Sequence, residues 1–209
     1  MDLPEPRLLV ISDRRQARRP LVAVAEASFA SGCRWFSLRE KDMPADERRG
    51  LLASLVELGH RFGAVVTAHE DLDAAIAVGA DGVHLPAGGD PDAARARLPG
   101  GLVGVSAHSP AEAAALLCAG ADYVTISPVF LTLSKPGYGP AIGLDGLART
   151  VVAAPGPVIA LGGINPQNAV LCRAAGAAAV AVMGEVMRAD DPGAVVCALI
   201  GALRPEAGP

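Results

Sequence analysis

The stretch Pro157-Val-Ile-Ala-Leu-Gly-Gly-Ile-Asn-Pro166 decides the fold of this chain. It predicts a short buried strand that ends in two glycines, followed by a helix that begins near residue 166. A second run of this kind, Ala179-Val-Ala-Val-Met-Gly184, comes about twenty residues later. Parallel α/β barrels hold a phosphate in the loops after their last two strands, which is where this pattern would lie. The alternative is that the glycines only make tight turns.

The pair Gly162-Gly163 predicts an anion site built from main chain. Glycine lets the backbone approach a ligand closely, and the N-terminus of the following helix offers unpaired N–H groups. On this basis, Gly163→Val is expected to weaken phosphate binding with little effect on folding.

Short β-branched runs alternate with longer Ala- and Leu-rich segments along the chain, which is typical of parallel βα units. The predicted strands lie near residues 8–12, 34–39, 63–68, 82–85, 102–106, 123–127, 157–161 and 179–183. The predicted helices lie near residues 20–31, 44–61, 71–78, 91–97, 110–119, 143–153, 166–175 and 192–203. Eight such units predict an α/β protein that consists of a single domain, a (βα)8 TIM barrel over residues 1–209. In such a barrel the active site lies at the carboxyl ends of the strands.

A glycine stands before each even-numbered strand, where the end of a helix needs one. These residues are Gly32, Gly79, Gly120 and Gly176. Four copies of the motif predict a quasi-fourfold barrel made of paired βα units.

The length, charge and cysteine content of the chain indicate what kind of protein it is. A chain of 209 residues, 51% hydrophobic, suits one sizeable core, and a net charge of -4 disfavours a nucleic-acid partner. The arginines of residues 14–19 are expected to form a solvated loop. The four cysteines are widely spaced without a C-x-x-C motif, which predicts reduced core thiols of a cytoplasmic protein. No apolar run reaches membrane-spanning length, so no membrane association is expected.

Polar residues just past the second strand predict an anion site. Alternation along an extended strand puts Ser37, Arg39 and Lys41 on one face. Two cations that point into a barrel mouth are costly unless they meet an anion, which favours a phosphate-type ligand. The alternative is an ion pair with Glu40 or Asp42.

The next two strands add histidines and carboxylates. His69, Glu70 and Asp71 follow the third strand, and the carboxylate pair could hold Mg²⁺ beside a pyrophosphate. Alternatively, Asp71 is only a helix N-cap with Glu70 next to it. His84 lies on the fourth strand, as a ligand contact or as a hydrogen-bonded core histidine.

Polar residues after the fifth and sixth strands also belong to the predicted site at the mouth of the barrel. Ser106 is the inward hydroxyl of the fifth strand, and the longest loop follows the sixth, at residues 127–143. Glycines and prolines in that loop suit a lid, from which Thr132, Ser134 and Lys135 would offer hydroxyls and a cation to a phosphate. A merely solvated loop is the alternative.

Five segments of the chain together carry a family resemblance. They are Leu38-Arg-Glu-Lys41, Val78-Gly-Ala-Asp-Gly-Val-His-Leu85, Gly104-Val-Ser-Ala-His-Ser109, Ala121-Asp-Tyr-Val124 followed by Pro128-Val-Phe-x-Thr-x-Ser-Lys135, and Gly162-Gly-Ile164. In this order, over residues 8 to 203, the chain resembles the thiamine phosphate synthase and TenI superfamily. The resemblance implies a transferase that joins hydroxymethylpyrimidine diphosphate to thiazole phosphate and releases pyrophosphate with Mg²⁺ bound.

The resemblance also implies roles for individual residues. Pyrophosphate contacts are implied for Arg39, Lys41 and Lys135, the residues expected to be catalytic. The implied substrate contacts are His84 and Ser106 at the pyrimidine end and Thr132, Ser134, Gly163, Met183 and Gly184 at the thiazole-phosphate end. Ser37, His69 and Gly162 are further expected substrate contacts, from their places at the strand ends. Glu70 is the expected metal ligand, with Asp90 or Asp71 as helper.

The chain departs from the synthase pattern at the pyrimidine and metal end. Ser37 stands where that pattern has Gln, His69-Glu70 stands where it has Asn-Asp, and a second metal-binding Asp falls on Gly89 or beside it on Asp90. These differences resemble the TenI branch, whose thiazole tautomerase would instead place a histidine at the position of Ser127. Three hypotheses therefore remain: a synthase, a tautomerase that uses His69 or His84 as acid and base, and a non-catalytic thiazole-phosphate binder. A homo-oligomer is left open.

Overall fold

The computed structural model describes residues 2–132 and 140–204. Within this part of the chain the strands are β1 (Leu8–Ile11), β2 (Trp35–Leu38), β3 (Val65–His69), β4 (Gly82–Leu85), β5 (Leu102–Ala107), β6 (Tyr123–Ile126), β7 (Val158–Leu161) and β8 (Ala179–Val182). The helices are α1 (Leu21–Ala30), α2 (Ala45–Arg61), α3 (Leu72–Val78), α4 (Pro91–Arg97), α5 (Pro110–Cys118), α6 (Gly143–Ala153), α7 (Ala169–Ala174), α8 (Gly184–Met187) and α9 (Pro192–Leu203). Each strand pairs in parallel with the next and β8 pairs with β1, which confirms the predicted eight-stranded barrel.

Alternation along the strands divides the apolar residues between two cores. Leu8 and Val10 of β1 pack with helix residues on the outside of the sheet. Leu9 and Ile11 pack instead with residues of the other strands, so they face the barrel interior. Trp35 and Tyr123 fill the base of this interior, with ring centroids 4.9 Å apart and an edge-to-face arrangement. The strand-end residues predicted to form the site lie above this apolar base.

The glycine repeat has the expected backbone conformation. The φ angles of Gly32, Gly79, Gly120 and Gly176 are 98°, 67°, 96° and 93°, a region in which side chains are strained. Each of these glycines lies at the end of a helix that leads into an even-numbered strand, as the sequence predicts.

Two helix assignments differ from the sequence-based expectation. The helix expected from residue 166 begins at Ala169, after a turn over residues 166–168. The Asn165 side chain caps this turn by accepting hydrogen bonds from the N–H groups of Gln167 and Asn168, at 3.0 and 3.1 Å. The short helix α8, directly after β8, is not anticipated from the sequence.

One expectation about side-chain environments is wrong in part. Cys33 and Cys172 are buried, as expected for core thiols, but Cys118 and Cys197 are exposed. The arginines of residues 14–19 lie on a largely exposed loop, as expected, and Arg14, Arg15 and Arg18 form ion pairs with carboxylates there. No helix among the described residues has the length and apolar character needed to cross a bilayer.

Candidate active site

A cavity of about 430 Å³ opens at the carboxyl ends of the strands. The predicted site residues that line it are Ser37, Arg39, Lys41, His69, Glu70, His84, Ser106, Thr132, Gly162, Gly163, Met183 and Gly184. Ser134 and Lys135 lie outside the described residues. Asp90 does not line this cavity. The strand-end pattern of the sequence therefore assembles into one pocket.

One side of the cavity is cationic. Among residues 2–132 and 140–204, the Arg39 guanidinium makes no hydrogen bond or ion pair, although its main-chain N–H donates to Ser12 Oγ at 2.8 Å. Lys41 forms an ion pair with Glu70. The ion pairs with Glu40 or Asp42 that the sequence left open are therefore not formed by Arg39 or Lys41. An available guanidinium at a pocket wall favours an anionic ligand.

The buried carboxylate of Glu40 fixes the loop that carries these cations. Glu40 is 2% exposed, accepts a 2.7 Å hydrogen bond from Ser12 Oγ and pairs with Arg14 at 3.3 Å. Arg14 also pairs with Asp42 at 2.7 Å, which lowers the pKa of that carboxyl to about 2. These contacts join the loop after β1 to the loop after β2.

Glu70 has an unusual backbone. Its φ is 65°, the only positive φ of a non-glycine residue in the described part of the chain. A glutamate in this region is strained, and such strain is concentrated at functional sites. The main-chain N–H of Glu70 donates to the His84 carbonyl at 2.9 Å, and its carboxylate lies 3.3 Å from His69 Nε2. The conformation directs the carboxylate toward the mouth of the barrel.

His84 is buried in a hydrogen-bonded stack. Its Nδ1 lies 3.1 Å from the Tyr123 hydroxyl and its Nε2 lies 3.0 Å from Ser106 Oγ. The ring stacks between His69 and Tyr123, with centroid distances of 5.2 and 5.5 Å. Burial, followed by the proximity of His69, holds the pKa of His84 well below its ordinary value of 6.5. His84 is therefore a neutral imidazole at pH 7, and both ring nitrogens have partners.

Two buried hydroxyls lie at the floor of the cationic side. Ser37 Oγ and Thr67 Oγ1 have no hydrogen-bond partner among the described residues, and their residues are paired across β2 and β3. Ser37 lines the cavity. A buried hydroxyl without a partner is costly, so a polar ligand atom near Ser37 would satisfy it.

The two glycines after β7 allow a close approach of the chain. Gly162 and Gly163 have φ values of 100° and 64°. A Cβ on Gly163 would lie 2.8 Å from Phe130 Cβ and would also clash with the carbonyl oxygen of Leu131. The expectation that Gly163→Val spares folding is therefore wrong, because a side chain there meets both a strained φ and the backbone of the β6–α6 loop.

The donors expected at the helix after β7 are partly in use. The main-chain N–H of Asn165 donates to Asn168 Oδ1 at 2.8 Å, and the N–H groups of Gln167 and Asn168 donate to Asn165 Oδ1. An anion in this corner must therefore be met by other groups, such as the main chain at Gly163 and Gly184, which lines the same cavity.

The carboxylates proposed as metal helpers cap helices. Asp71 accepts a 2.9 Å hydrogen bond from the Ala74 N–H and pairs with Arg48 at 2.7 Å. Asp90 accepts from the Ala93 N–H at 3.0 Å. In the described ranges no cluster of three or more His, Cys, Asp or Glu side chains is arranged to hold a metal ion. Glu70 alone of the three nominated carboxylates lines the main cavity.

The polar residues that line the cavity include several that the sequence did not single out as site residues: His108, Ser127, Glu185 and Arg188. His108 follows Ser106 by two positions, so strand alternation was a usable signal. Arg188 follows Gly184 by one helical turn, but this signal existed only once α8 was known.

Comparisons with known proteins give one consistent result. The thiamine monophosphate synthase family matches residues 8–186. A protein of Geobacter sulfurreducens, provisionally named a thiamine-phosphate synthase, is 43% identical over 95% of each chain. The thiamine-phosphate synthase of Roseiflexus sp. is 38% identical over 91% of this chain and 82% of its own.

A solved structure agrees with these sequences. The thiamine phosphate pyrophosphorylase of Pyrococcus furiosus superposes with a TM-score of 0.85 and 32% identity, over 94% of this chain and 95% of its own. The fold, the strand-end cavity and the extent of these similarities together place this chain in the thiamine monophosphate synthase family.

Proposed function

We propose that this protein is a thiamine-phosphate synthase that joins hydroxymethylpyrimidine diphosphate to thiazole phosphate. The observation that carries the proposal is a single cavity with two different sides that each suit an anion. One side presents the Arg39 guanidinium and Lys41, and the other presents the glycine-ended loops after β7 and β8. A reaction between a diphosphate and a phosphate needs two such sides.

The substrates would lie in opposite halves of the barrel mouth. Above the apolar base, β2, β4 and β5 present Ser37, His84 and Ser106 to the cavity, and these polar side chains suit an aminopyrimidine ring. The interior of β7 and β8 is apolar, with Leu161 and Ala181 paired across the two strands and lining the cavity. A thiazole ring suits that wall, with its phosphate at Gly163 and Gly184.

The chemistry would be carried by charge rather than by a base. The C–O bond between the pyrimidine methylene and the diphosphate breaks, and pyrophosphate leaves with the electron pair. The thiazole nitrogen lone pair then forms the C–N bond to the methylene cation. No proton has to move, so Arg39 and Lys41 act by stabilising charge on the leaving group. Lys135 stays a prediction from the sequence for this same role.

Mg²⁺ fits the site as an ion that enters with the diphosphate. It is commonly held by one or two carboxylates plus substrate phosphates, and Glu70 at the cationic wall supplies one carboxylate. Bound there, Mg²⁺ would neutralise part of the pyrophosphate charge. Glu70 is thus the proposed protein ligand, whereas Asp90 and Asp71 already serve as helix caps.

The tautomerase hypothesis is the less well supported alternative. An acid–base histidine should titrate near neutral pH, but burial lowers the pKa of His84 and both of its nitrogens have partners. His69 lines the cavity and is the remaining candidate for that role. A cytoplasmic location and the lack of a nucleic-acid partner stay predictions from composition.

The proposal is tested by ³¹P NMR of the purified protein with both substrates and Mg²⁺. Appearance of pyrophosphate and thiamine phosphate in equal amounts is the expected result. Arg39→Gln is the matched variant, with an expected loss of about 100-fold or more in kcat/KM because it removes a charge-stabilising donor. A reaction that lacks thiazole phosphate controls for simple hydrolysis of the diphosphate.

The alternatives predict other results. A tautomerase would isomerise a thiazole carboxylate phosphate and release no pyrophosphate. A non-catalytic binder would show calorimetric binding of thiazole phosphate without any turnover. Either result from wild-type protein with Mg²⁺ present would overturn the synthase proposal.

A further inference from the structure

A third cation lines the cavity on the side away from Arg39. Arg188 extends from the end of α8, and its guanidinium covers Gly184 so closely that a Cβ on Gly184 would lie 2.7 Å from Arg188 Cζ. Arg188 lines the same cavity as Gly162 and Gly163. The side chain therefore crosses the corner where the loops after β7 and β8 meet.

Gln16 holds this guanidinium in place. Arg188 Nη1 donates to Gln16 Oε1, and the Gln16 amide donates in turn to Asp13. The contact links α8 to the loop after β1. This hydrogen bond to a neutral amide fixes the direction of the guanidinium.

Main chain alone is a weak partner for a phosphate monoester. Such a group carries about 1.5 to 2 negative charges near pH 7, whereas a backbone N–H supplies only a partial positive charge. Arg173, also near this corner in sequence, donates instead to the Ala177 carbonyl at the far end of α7. Arg188 is thus placed to supply the full positive charge that the glycine loops lack.

We propose that Arg188 binds the phosphate of the thiazole substrate and makes the site select the phosphorylated thiazole over its alcohol. The identity of the substrate, thiazole phosphate, rests on the proposed synthase function. The presence of a phosphate-binding arginine in this corner does not depend on that function.

Steady-state kinetics of Arg188→Gln test the assignment. The KM for thiazole phosphate should rise about 10- to 100-fold, the loss expected for a charge-assisted hydrogen bond, while the KM for the pyrimidine diphosphate stays within about twofold. Arg188→Lys should recover part of the loss. Arg18→Gln is the matched control, because Arg18 pairs with Asp190 between the same two segments but does not line the cavity.

Calorimetry with thiazole phosphate, without the second substrate, separates this inference from the synthase proposal. If wild-type protein turns over and Arg188→Gln keeps both KM values, Arg188 is not the phosphate ligand. If wild-type protein gives no thiamine phosphate but Arg188→Gln loses calorimetric affinity, the synthase proposal fails and the arginine assignment stands. Should Arg188→Gln not fold, Gln16→Glu decides, since a carboxylate against the guanidinium should weaken phosphate binding and unchanged affinity would overturn the assignment.

Discussion

His84 couples the site to the packing of the barrel interior. Its ring stacks on Tyr123, whose ring packs in turn on Trp35 at the barrel base, and on its other side it stacks on His69 at the cavity. Because both ring nitrogens have hydrogen-bond partners, His84 fixes the position of Ser106 as well. Burial keeps the ring neutral through the lowered pKa, so one ring nitrogen donates a hydrogen bond and the other accepts one.

The first prediction concerns pH and stability. The folded protein resists protonation of His84, whereas the unfolded chain binds that proton below pH about 6.5. The stabilisation is therefore complete above about pH 6.5 and is lost as pH falls below it, by up to about 1.4 kcal/mol per pH unit. Urea unfolding of the wild type and of His84→Gln at pH 5 to 8 should show a flatter profile for the variant.

A second histidine provides the control for this prediction. His60 lies at the end of α2, is exposed and pairs with Asp81 at 3.0 Å. His84→Gln should change the wild-type difference in the free energy of unfolding between pH 5 and pH 7 more than His60→Gln does. If His84→Gln keeps the wild-type difference, another group causes the loss of stability in acid.

The second prediction concerns the strained backbone at Glu70. Asparagine tolerates a φ of 65° better than glutamine, so Glu70→Asn should be more stable than Glu70→Gln by about 1 kcal/mol in the free energy of unfolding. Both substitutions remove the charge that pairs with Lys41, and that partly exposed ion pair is worth little. The difference in the free energy of unfolding between the two variants, measured by urea unfolding, therefore reports the cost of the positive φ at residue 70.

The same variants test the proposed metal ligand. Glu70→Gln and Glu70→Asn should both raise the Mg²⁺ concentration needed for half-maximal turnover, because neither retains a carboxylate. Glu70→Asp should preserve turnover. Normal turnover of Glu70→Gln at low Mg²⁺ would show that Glu70 does not hold the metal.

At the scale of elements, two neighbouring loops act as one unit. The Glu40 carboxylate accepts hydrogen bonds from the Ser12 hydroxyl and from the main-chain N–H of Arg14. Ser12 Oγ accepts a hydrogen bond in turn from the main-chain N–H of Arg39. The loop after β1 therefore sets the direction in which the loop after β2 presents Arg39. A buried carboxylate with several donors suits this positioning role, because its removal leaves those donors without a partner.

The third prediction follows from this arrangement. Glu40→Gln should lower the free energy of unfolding by about 1 to 3 kcal/mol and should also lower kcat/KM for the pyrimidine diphosphate. Asp42→Asn is the control, because Asp42 also pairs with Arg14 but lies at the surface, and it should change both quantities little. Loss of stability with full activity in Glu40→Gln would restrict Glu40 to a structural role.

The predictability of these elements from sequence depends on how local their causes are. Strand positions follow from alternation and buried β-branched runs, and the glycines before even-numbered strands follow from the φ that a helix end requires. The start of α7 was placed three residues early, because the Asn165 side chain caps a turn over residues 166–168 that comes before the regular helix.

The candidate site divides in the same way. Residues two positions apart at a strand end could be assigned to one pocket, as for Ser37 and Arg39. Other contacts depend on how distant segments meet when the barrel closes. Examples are the ion pair of Glu40 with Arg14 and the position of the Arg188 side chain over Gly184. No local pattern encodes such contacts, so the structure was needed to find them.

At the scale of the whole molecule, the charge of the cavity opposes that of the chain. The net charge is -4, yet Arg39, Lys41 and Arg188 line the pocket that is proposed to receive two anions. Long-range attraction therefore contributes little, and binding depends on charges close to the ligand. Added salt acts on such exposed charges by screening them over about 8 Å at physiological ionic strength.

The last prediction uses salt to assign each cation to its substrate. Raising NaCl from 50 to 500 mM should increase both KM values several-fold, because both substrates are anions met by partly exposed cations. Arg39→Gln should flatten the salt dependence of the KM for the pyrimidine diphosphate, and Arg188→Gln should flatten that for thiazole phosphate, each leaving the other slope intact. Steady-state kinetics across the salt series measure all four slopes. If each substitution flattened both slopes equally, the cavity would act as one diffuse positive field, and the division into a diphosphate side and a phosphate side would be wrong.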